Sequence, residues 1–165
     1  MGGGHARHHL DVDKVDVDRW FSCYVAEFSA VGRGDVHGVR SLLEYYGVPL
    51  LVGTDAGCPA FTDEAQVLAF LQQQVEGMRS AGYDRSDELN AETTVLNGSC
   101  ALHRGRFSRL RADGSEIAQI ACTYLITDSS SGYRISAIVV HSGQPLPGGR
   151  SSPSPLVARA TVDSP

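Results

Sequence analysis

Residues 97–114 read NGSCALHRGRFSRLRADG, and this segment gives the strongest indication of the fold. Asn97-Gly98 and Asp113-Gly114, at its two ends, are dipeptides that supply the positive φ angles of tight hairpin turns. The residues from 100 to 111 between them have the character of a strand. We therefore predict a strand over 100–111 that a hairpin joins to a neighbouring strand at each end.

Strand character continues on both sides of this stretch. It covers roughly 88–96 before it and 116–127 and 133–142 after it, and Ser131-Gly132 supplies a third turn. Consecutive strands joined by tight turns pair with their neighbours. The second half of the chain is therefore predicted to form a four-strand antiparallel meander.

The first half of the chain has helical periodicity. A second short helix, which Asp35 can cap, is predicted through Val39, Leu42, Leu43 and Tyr46, and a short strand is predicted over 48–52. A third helix has an apolar stripe at helical spacing, is capped by Thr62 or Asp63 and closes at Gly82. The first helix shows apolar residues at spacings of three and four: Trp20, Phe21, Tyr24, Val25, Phe28 and Val31. About three N-terminal helices followed by a meander predict an α+β domain with the helices on one face of a curved antiparallel sheet.

The ends of the chain differ from this folded part in composition. Residues 1–11 are small and polar, so we expect a flexible N-terminal segment, and we interpret its histidines as solvated rather than metal-binding. Residues 143–165 are rich in Pro, Gly and Ser, which is typical of a disordered tail. The predicted domain therefore spans 12–142, and the 165 residues suit a single core.

Composition restricts the partners and the compartment. A net charge of −5 argues against nucleic acid, which proteins bind through a surplus of Lys and Arg on one face. No apolar run is long enough for a membrane span or a signal peptide. Four widely spaced cysteines without a C-x-x-C pair are then expected to be reduced thiols in the cytoplasm.

The order helix, helix, strand, long helix and meander resembles the NTF2-like superfamily, which includes ketosteroid isomerases and SnoaL-like polyketide cyclases. The residues that carry the resemblance are Tyr24-Val25-Ala26 followed by Gly34-Asp35, then Phe107 and Arg109 before Asp113-Gly114, then Tyr133-Arg134-Ile135. The resemblance implies a cone-shaped fold whose pocket lies between the first helix and the concave face of the sheet. It further implies a small apolar ligand, a homodimer that pairs through its sheets, and no cofactor.

Strand alternation assigns residues to this pocket. His103 and Phe107 share one face of their strand with Ala101, whereas Arg104 and Arg106 share the other, so we predict that His103 faces the pocket. In the last strand Ala137, Val139 and His141 lie together, near the mouth or a neighbouring wall of the cavity. The expected ligand-binding residues are Phe28, Phe107, Cys122, Tyr124 and His141.

The resemblance suggests an activity as well. Tyr24 corresponds to the tyrosine that stabilises the enolate in ketosteroid isomerases. The second donor of those enzymes falls at about Cys122, whose thiol is a weak donor, and the nearest candidate bases are Thr54 and Asp55, so steroid isomerisation is disfavoured.

Two broader hypotheses stay open. One is an isomerase, cyclase or dehydratase in which Tyr24 donates a hydrogen bond and His103 acts as acid or base. The other is a non-catalytic ligand-binding or dimerisation module of the same fold. His103 and His141 come from different strands without an identified carboxylate, so no metal site is expected.

Arginines form a dense basic run in the strand over 100–111 and at its end. Because these side chains alternate between the two faces of a hairpin, we expect a solvated sheet face or a homodimer interface rather than a site for a polyanion. The run consists of Arg104, Arg106, Arg109 and Arg111.

Overall fold

The computed structural model describes residues 11–36 and 38–142. The elements in this part of the chain are α1 (Lys14–Arg33), a 3₁₀ helix (Arg40–Glu44), β1 (Tyr46–Gly53), β2 (Ala60–Phe61), α2 (Glu64–Ser80), β3 (Tyr83–Asn97), β4 (Cys100–Arg111), β5 (Glu116–Ser129) and β6 (Gly132–Val140). The flexible N-terminal segment with its histidines and the disordered tail were predicted for residues that lie outside this description, apart from Asp11.

The strands form a single mixed sheet in the order β2-β1-β6-β5-β4-β3. The predicted meander of β3 to β6 is confirmed, because each of these strands pairs antiparallel with the next. Gly114 and Gly132 have φ angles of 83° and 95° at two of the hairpin turns, where a side chain would be strained. The expectation of a purely antiparallel sheet was wrong, since β1 pairs parallel with β6.

The prediction of about three helices also needs correction, because the described residues contain two α-helices. The second predicted helix is a 3₁₀ helix of five residues that has no side-chain cap. Asp35, its expected cap, instead accepts a hydrogen bond of 2.9 Å from Nε of Arg33. Tyr46, which was assigned to this helix, is the first residue of β1, so little chain remains for helical turns.

Side-chain caps fix where the two α-helices begin. Asp13 accepts hydrogen bonds from the backbone N–H groups of Val15 and Asp16 at the start of α1. Of the two candidates for α2, Asp63 is the cap, and its carboxylate accepts from the N–H of Gln66 at 2.8 Å. Such caps satisfy N–H groups that have no partner within the helix.

The core lies between the helices and one face of the sheet, which we call the inner face. On β4 this face carries Ala101, His103 and Phe107, all buried, while Arg104 and Arg106 on the opposite, outer face are exposed. The predicted alternation of β4 is therefore confirmed. The buried residues of α1 that cover the inner face are Val17, Phe21, Tyr24 and Val31.

Candidate functional site

Tyr24 pairs with a tyrosine that the sequence did not reveal as a site residue. The hydroxyl oxygens of Tyr24 on α1 and Tyr46 at the start of β1 are 2.6 Å apart, and both side chains are buried. The ring of Phe28, one helical turn after Tyr24, lies 5.8 Å from the Tyr24 ring between centroids. The two hydroxyl groups form a polar pair in an otherwise aromatic part of the core.

Both phenols of this pair stay protonated at neutral pH. Burial raises the pKa of Tyr24 well above its usual value, and the neighbouring Tyr46 and Cys122 raise it further. Burial likewise raises the pKa of Tyr46. The pair therefore carries two O–H protons and uses one of them in its own hydrogen bond, so the other is available to an acceptor.

Two residues of β5 extend the polar pair into a cluster. Tyr124 and Cys122 are buried on the inner face and hydrogen-bonded to each other, and burial raises the pKa of both. The Tyr124 ring lies 6.2 Å from Tyr24 and contacts Phe107 edge-on at 6.3 Å, both between ring centroids. We call Tyr24, Tyr46, Cys122 and Tyr124 the tyrosine cluster. Of the predicted ligand-binding residues, the structure brings together Phe28, Phe107, Cys122 and Tyr124 around Tyr24.

A charged residue accompanies the tyrosine cluster on the inner face. Arg109 follows Phe107 by two positions on β4 and is 8% exposed, which contradicts its predicted place on a solvated face or dimer interface. Among the residues that the structure describes, neither Nε nor Nη1 of Arg109 has a hydrogen-bond partner. The positive charge lies close enough to oppose the raised pKa values of the whole tyrosine cluster. The two-residue alternation that placed Phe107 inward could have located Arg109.

His103 belongs to a different hydrogen-bond network. Its ring is 3% exposed and stacks on Phe21 at 3.8 Å between centroids. Nδ1 lies 2.7 Å from Oγ1 of Thr93, and Nε2 lies 3.3 Å from Oε2 of Glu88. His103 therefore faces the inner side as predicted, but both ring nitrogens already have partners.

The protons of this network can be assigned from its donors and acceptors. The hydroxyl group of Thr93 donates its one hydrogen bond to Oδ1 of Asp18 on α1. Its oxygen therefore accepts the hydrogen bond that it shares with Nδ1 of His103, and Nδ1 is the donor. Burial of Asp18 acts to raise its pKa, but hydrogen bonds from Lys14 and Thr93 and the charges of Lys14 and His103 outweigh burial, so its pKa is lowered.

A family model covers most of the chain. The family model described as "NTF2-like protein (DUF6841)" matches residues 13–143. The chain belongs to this NTF2-like family. A search among curated proteins finds no match.

Solved structures share the fold of this NTF2-like domain at low sequence identity. A cystatin-like domain of unknown function from Nostoc punctiforme is 15% identical with a TM-score of 0.60, and the alignment covers 82% of each chain. The yeast UBP3-associated protein BRE5 is 12% identical with a TM-score of 0.58 over 79% of this chain and 96% of its own. An NTF2-like protein of unknown function from Shewanella oneidensis is 16% identical with a TM-score of 0.56 over 76% and 96%. These similarities establish the fold and leave the activity open.

Three other sequence candidates lie away from the tyrosine cluster of this NTF2-like domain. His141 is exposed, and its Nε2 lies 2.7 Å from Oγ1 of Thr123. Thr123 alternates with Cys122 and Tyr124 along β5, so it belongs to the outer face. His141 therefore lies on the outer face and not beside the cavity, where it was expected. Asp55 is exposed in a turn that Thr54 and Gly57 close, and its carboxylate accepts from Ser142. Thr54 and Asp55 therefore provide no base at the tyrosine cluster.

Two further properties concern metals and membranes. Within 11–36 and 38–142, no three side chains of His, Cys, Asp or Glu come together in a way that could hold a metal ion. In the same ranges, neither helix combines the length and the apolar character that a membrane-spanning segment needs.

Proposed function

We propose that this NTF2-like domain binds a small, largely apolar molecule inside its cone, with the tyrosine cluster donating a hydrogen bond to an oxygen of the ligand. The observation that carries this proposal is the distance of 2.6 Å between the buried hydroxyl oxygens of Tyr24 and Tyr46, a pair that uses only one of its two protons in its own hydrogen bond. A buried O–H without an acceptor is unfavourable, and a ligand oxygen can provide one. Apolar surroundings with a few convergent polar groups are typical of small-molecule sites.

The geometry favours binding over catalysis. An isomerase, cyclase or dehydratase needs a base beside the group that donates to the developing oxyanion. His103, the expected base, has Thr93 and Glu88 on its two nitrogens. The buried polar residues of the described chain are Ser29, Thr93, His103, Ser108 and Arg109, and they include no carboxylate.

A catalytic role of Tyr24 and His103 is the second candidate, and the Phe21 ring favours it. That ring stacks on His103 and lies 5.3 Å from the Tyr24 ring between centroids, so the two residues flank one aromatic side chain. Catalysis would require His103 to exchange Glu88 for the substrate. Turnover that disappears in His103→Gln while ligand binding remains would support this candidate.

The first experiment is native mass spectrometry of the purified protein, followed by titration of the isotope-labelled protein with the neutral probe phenylbutyramide. We expect a retained small molecule or saturable amide shifts confined to α1 and the inner face. Tyr24→Phe should weaken probe binding several-fold, since a hydrogen bond contributes about 1 kcal/mol. Tyr45→Phe is the matched control, because its half-buried ring lies 5.7 Å from the Tyr24 ring but its hydroxyl is outside the pair.

The same experiment can refute the proposal. A protein that retains no small molecule and shows no saturable shift with phenylbutyramide or its carboxylic acid would exclude a small-molecule site in the cone. Equal losses of affinity in Tyr24→Phe and Tyr45→Phe would show that ring packing, rather than the hydroxyl pair, supports binding.

A further inference from the structure

Arg109 differs from the other described arginines in its hydrogen-bond partners. In the described chain, other arginines have an acidic side chain or a main-chain carbonyl as a hydrogen-bond partner: Arg19, Arg33, Arg40, Arg79, Arg85, Arg111 and Arg134. Arg104 and Arg106 are exposed to solvent. Arg109 is buried, and its Nε and Nη1 have no partner among the described residues.

A guanidinium group in this position cannot lower the cost of burial by losing its proton, because arginine stays charged in proteins. Burying a charge without a counter-ion destabilises the folded state. Ser86 and Ala118, the neighbours of Arg109 across the sheet, bring no negative charge. Within the part of the chain that the structure describes, the positive charge of Arg109 on the inner face therefore has no counter-ion.

The tyrosine cluster, whose pKa values this charge influences, also consists of donors. The tyrosine cluster has phenol and thiol protons that burial keeps in place. An arginine fork beside a phenol O–H matches a planar carboxylate. Such a group accepts two parallel hydrogen bonds from the N–H groups of the fork and a further hydrogen bond from the phenol. Arg109 is the only buried Lys or Arg side chain in the described chain, so a singly charged anion fits better than a phosphate dianion.

We propose that the ligand of the cone is a small carboxylate anion, whose charged group pairs with Arg109 and accepts the spare hydroxyl proton of Tyr24 or Tyr46. The hydrocarbon part then packs against the half-buried apolar side chains around the cluster, including Phe28 and Ile120. This inference rests on the proposed small-molecule site and adds the class of its ligand.

The test compares phenylbutyrate with phenylbutyramide, which differ in charge and hardly in shape. We expect the wild-type protein to bind the acid about tenfold or more tightly than the amide at neutral pH, since tenfold corresponds to one good charge-assisted interaction. Arg109→Met should abolish this preference, because it should weaken binding of the acid far more than binding of the amide. Arg106→Met, on the exposed outer face of the same strand, should retain it.

Folding of the variants provides a second measurement. If Arg109 has no counter-ion, Arg109→Met should unfold at the same urea concentration as the ligand-free wild type or at a higher one. A clearly lower midpoint would overturn the inference, because it would show that Arg109 is already paired. Arg109→Lys keeps the charge but lacks the fork, so it should retain only part of the preference for the acid.

The outcomes separate this inference from the proposed function. Equal affinity for acid and amide would overturn the carboxylate and leave the small-molecule site intact. Binding of neither probe would remove the site and with it the inference. A preference for the acid that persists in Arg109→Met would place the anion elsewhere and refute the role of this residue.

Discussion

Thr93→Val tests the hydrogen-bond network that joins α1 to the sheet. Valine has nearly the shape of threonine, so the change removes the hydroxyl group and little packing. That hydroxyl donates to Asp18 and lies 2.7 Å from Nδ1 of His103, at a position that is 5% exposed. The variant therefore leaves the buried N–H of His103 without its acceptor.

The magnitude follows from the two bonds. An unsatisfied buried donor costs about 1–3 kcal/mol. The bond to Asp18 adds little, because that carboxylate is 41% exposed and can regain water. We expect a loss of about 2 kcal/mol in the free energy of unfolding, which corresponds to about 1 M in the urea midpoint for a typical denaturant slope.

Urea unfolding followed by Trp20 fluorescence and far-UV circular dichroism measures this loss. Thr94→Val is the matched control, since Thr94 is the next residue of β3 and is exposed. Its effect should stay within about 0.5 kcal/mol. If Thr93→Val and Thr94→Val shifted the midpoint equally, the network would contribute nothing measurable and the proton assignment of His103 would lose its support.

Three other predictions concern packing, pH and thiol reactivity. A Cβ at Gly105 would lie 2.5 Å from the Phe107 ring, so Gly105→Ala should destabilise the fold by about 1–3 kcal/mol, whereas Gly53→Ala, with its nearest contact at 3.5 Å, should have a much smaller effect on the urea midpoint. The pKa of Asp18 is lower in the folded state, so the stability that its carboxylate contributes is present above the unfolded pKa and is lost as the pH falls through the folded pKa. Asp18→Asn should therefore flatten the pH dependence of the urea midpoint below about pH 4. The half-exposed position of Asp18 keeps this effect below about 1 kcal/mol. Burial raises the pKa of Cys122, so iodoacetamide should alkylate this thiol far more slowly than the exposed cysteines. Mass spectrometry of timed digests measures the rates. Equal rates would indicate that the inner face opens to solvent.

Much of the fold could be predicted from the sequence because its signals are local. Turn dipeptides and strand character predicted the four strands of the meander, and alternation assigned His103 and Phe107 to the inner face. The helical spacing of apolar residues predicted α1 and α2. These features depend on neighbours within a few residues, so they are readable without knowledge of the tertiary structure.

The errors concern residues whose surroundings are distant in the chain. Tyr46 fitted the apolar spacing of a short helix, but parallel pairing of β1 with β6, which follows almost ninety residues later, draws it into a strand. Arg109 was grouped with its exposed neighbours in the basic run, although strand alternation places it on the face of Phe107. The sequence could not show that its Nε and Nη1 meet no partner among the described residues. His141 was expected beside the cavity, because the face of a strand cannot be assigned until its partner strand is known.

The two α-helices, the meander and the resemblance to NTF2-like proteins could be read from the sequence, because backbone preferences and periodicity are properties of short segments. Which side chains meet depends on the tertiary structure. It paired Tyr24 with Tyr46, left Nε and Nη1 of Arg109 without a hydrogen-bond partner among the described residues, and placed His103 in a separate network. Hydrogen bonding and charge compensation depend on distances of a few ångströms between segments remote in sequence, and the packing of the whole chain sets those distances.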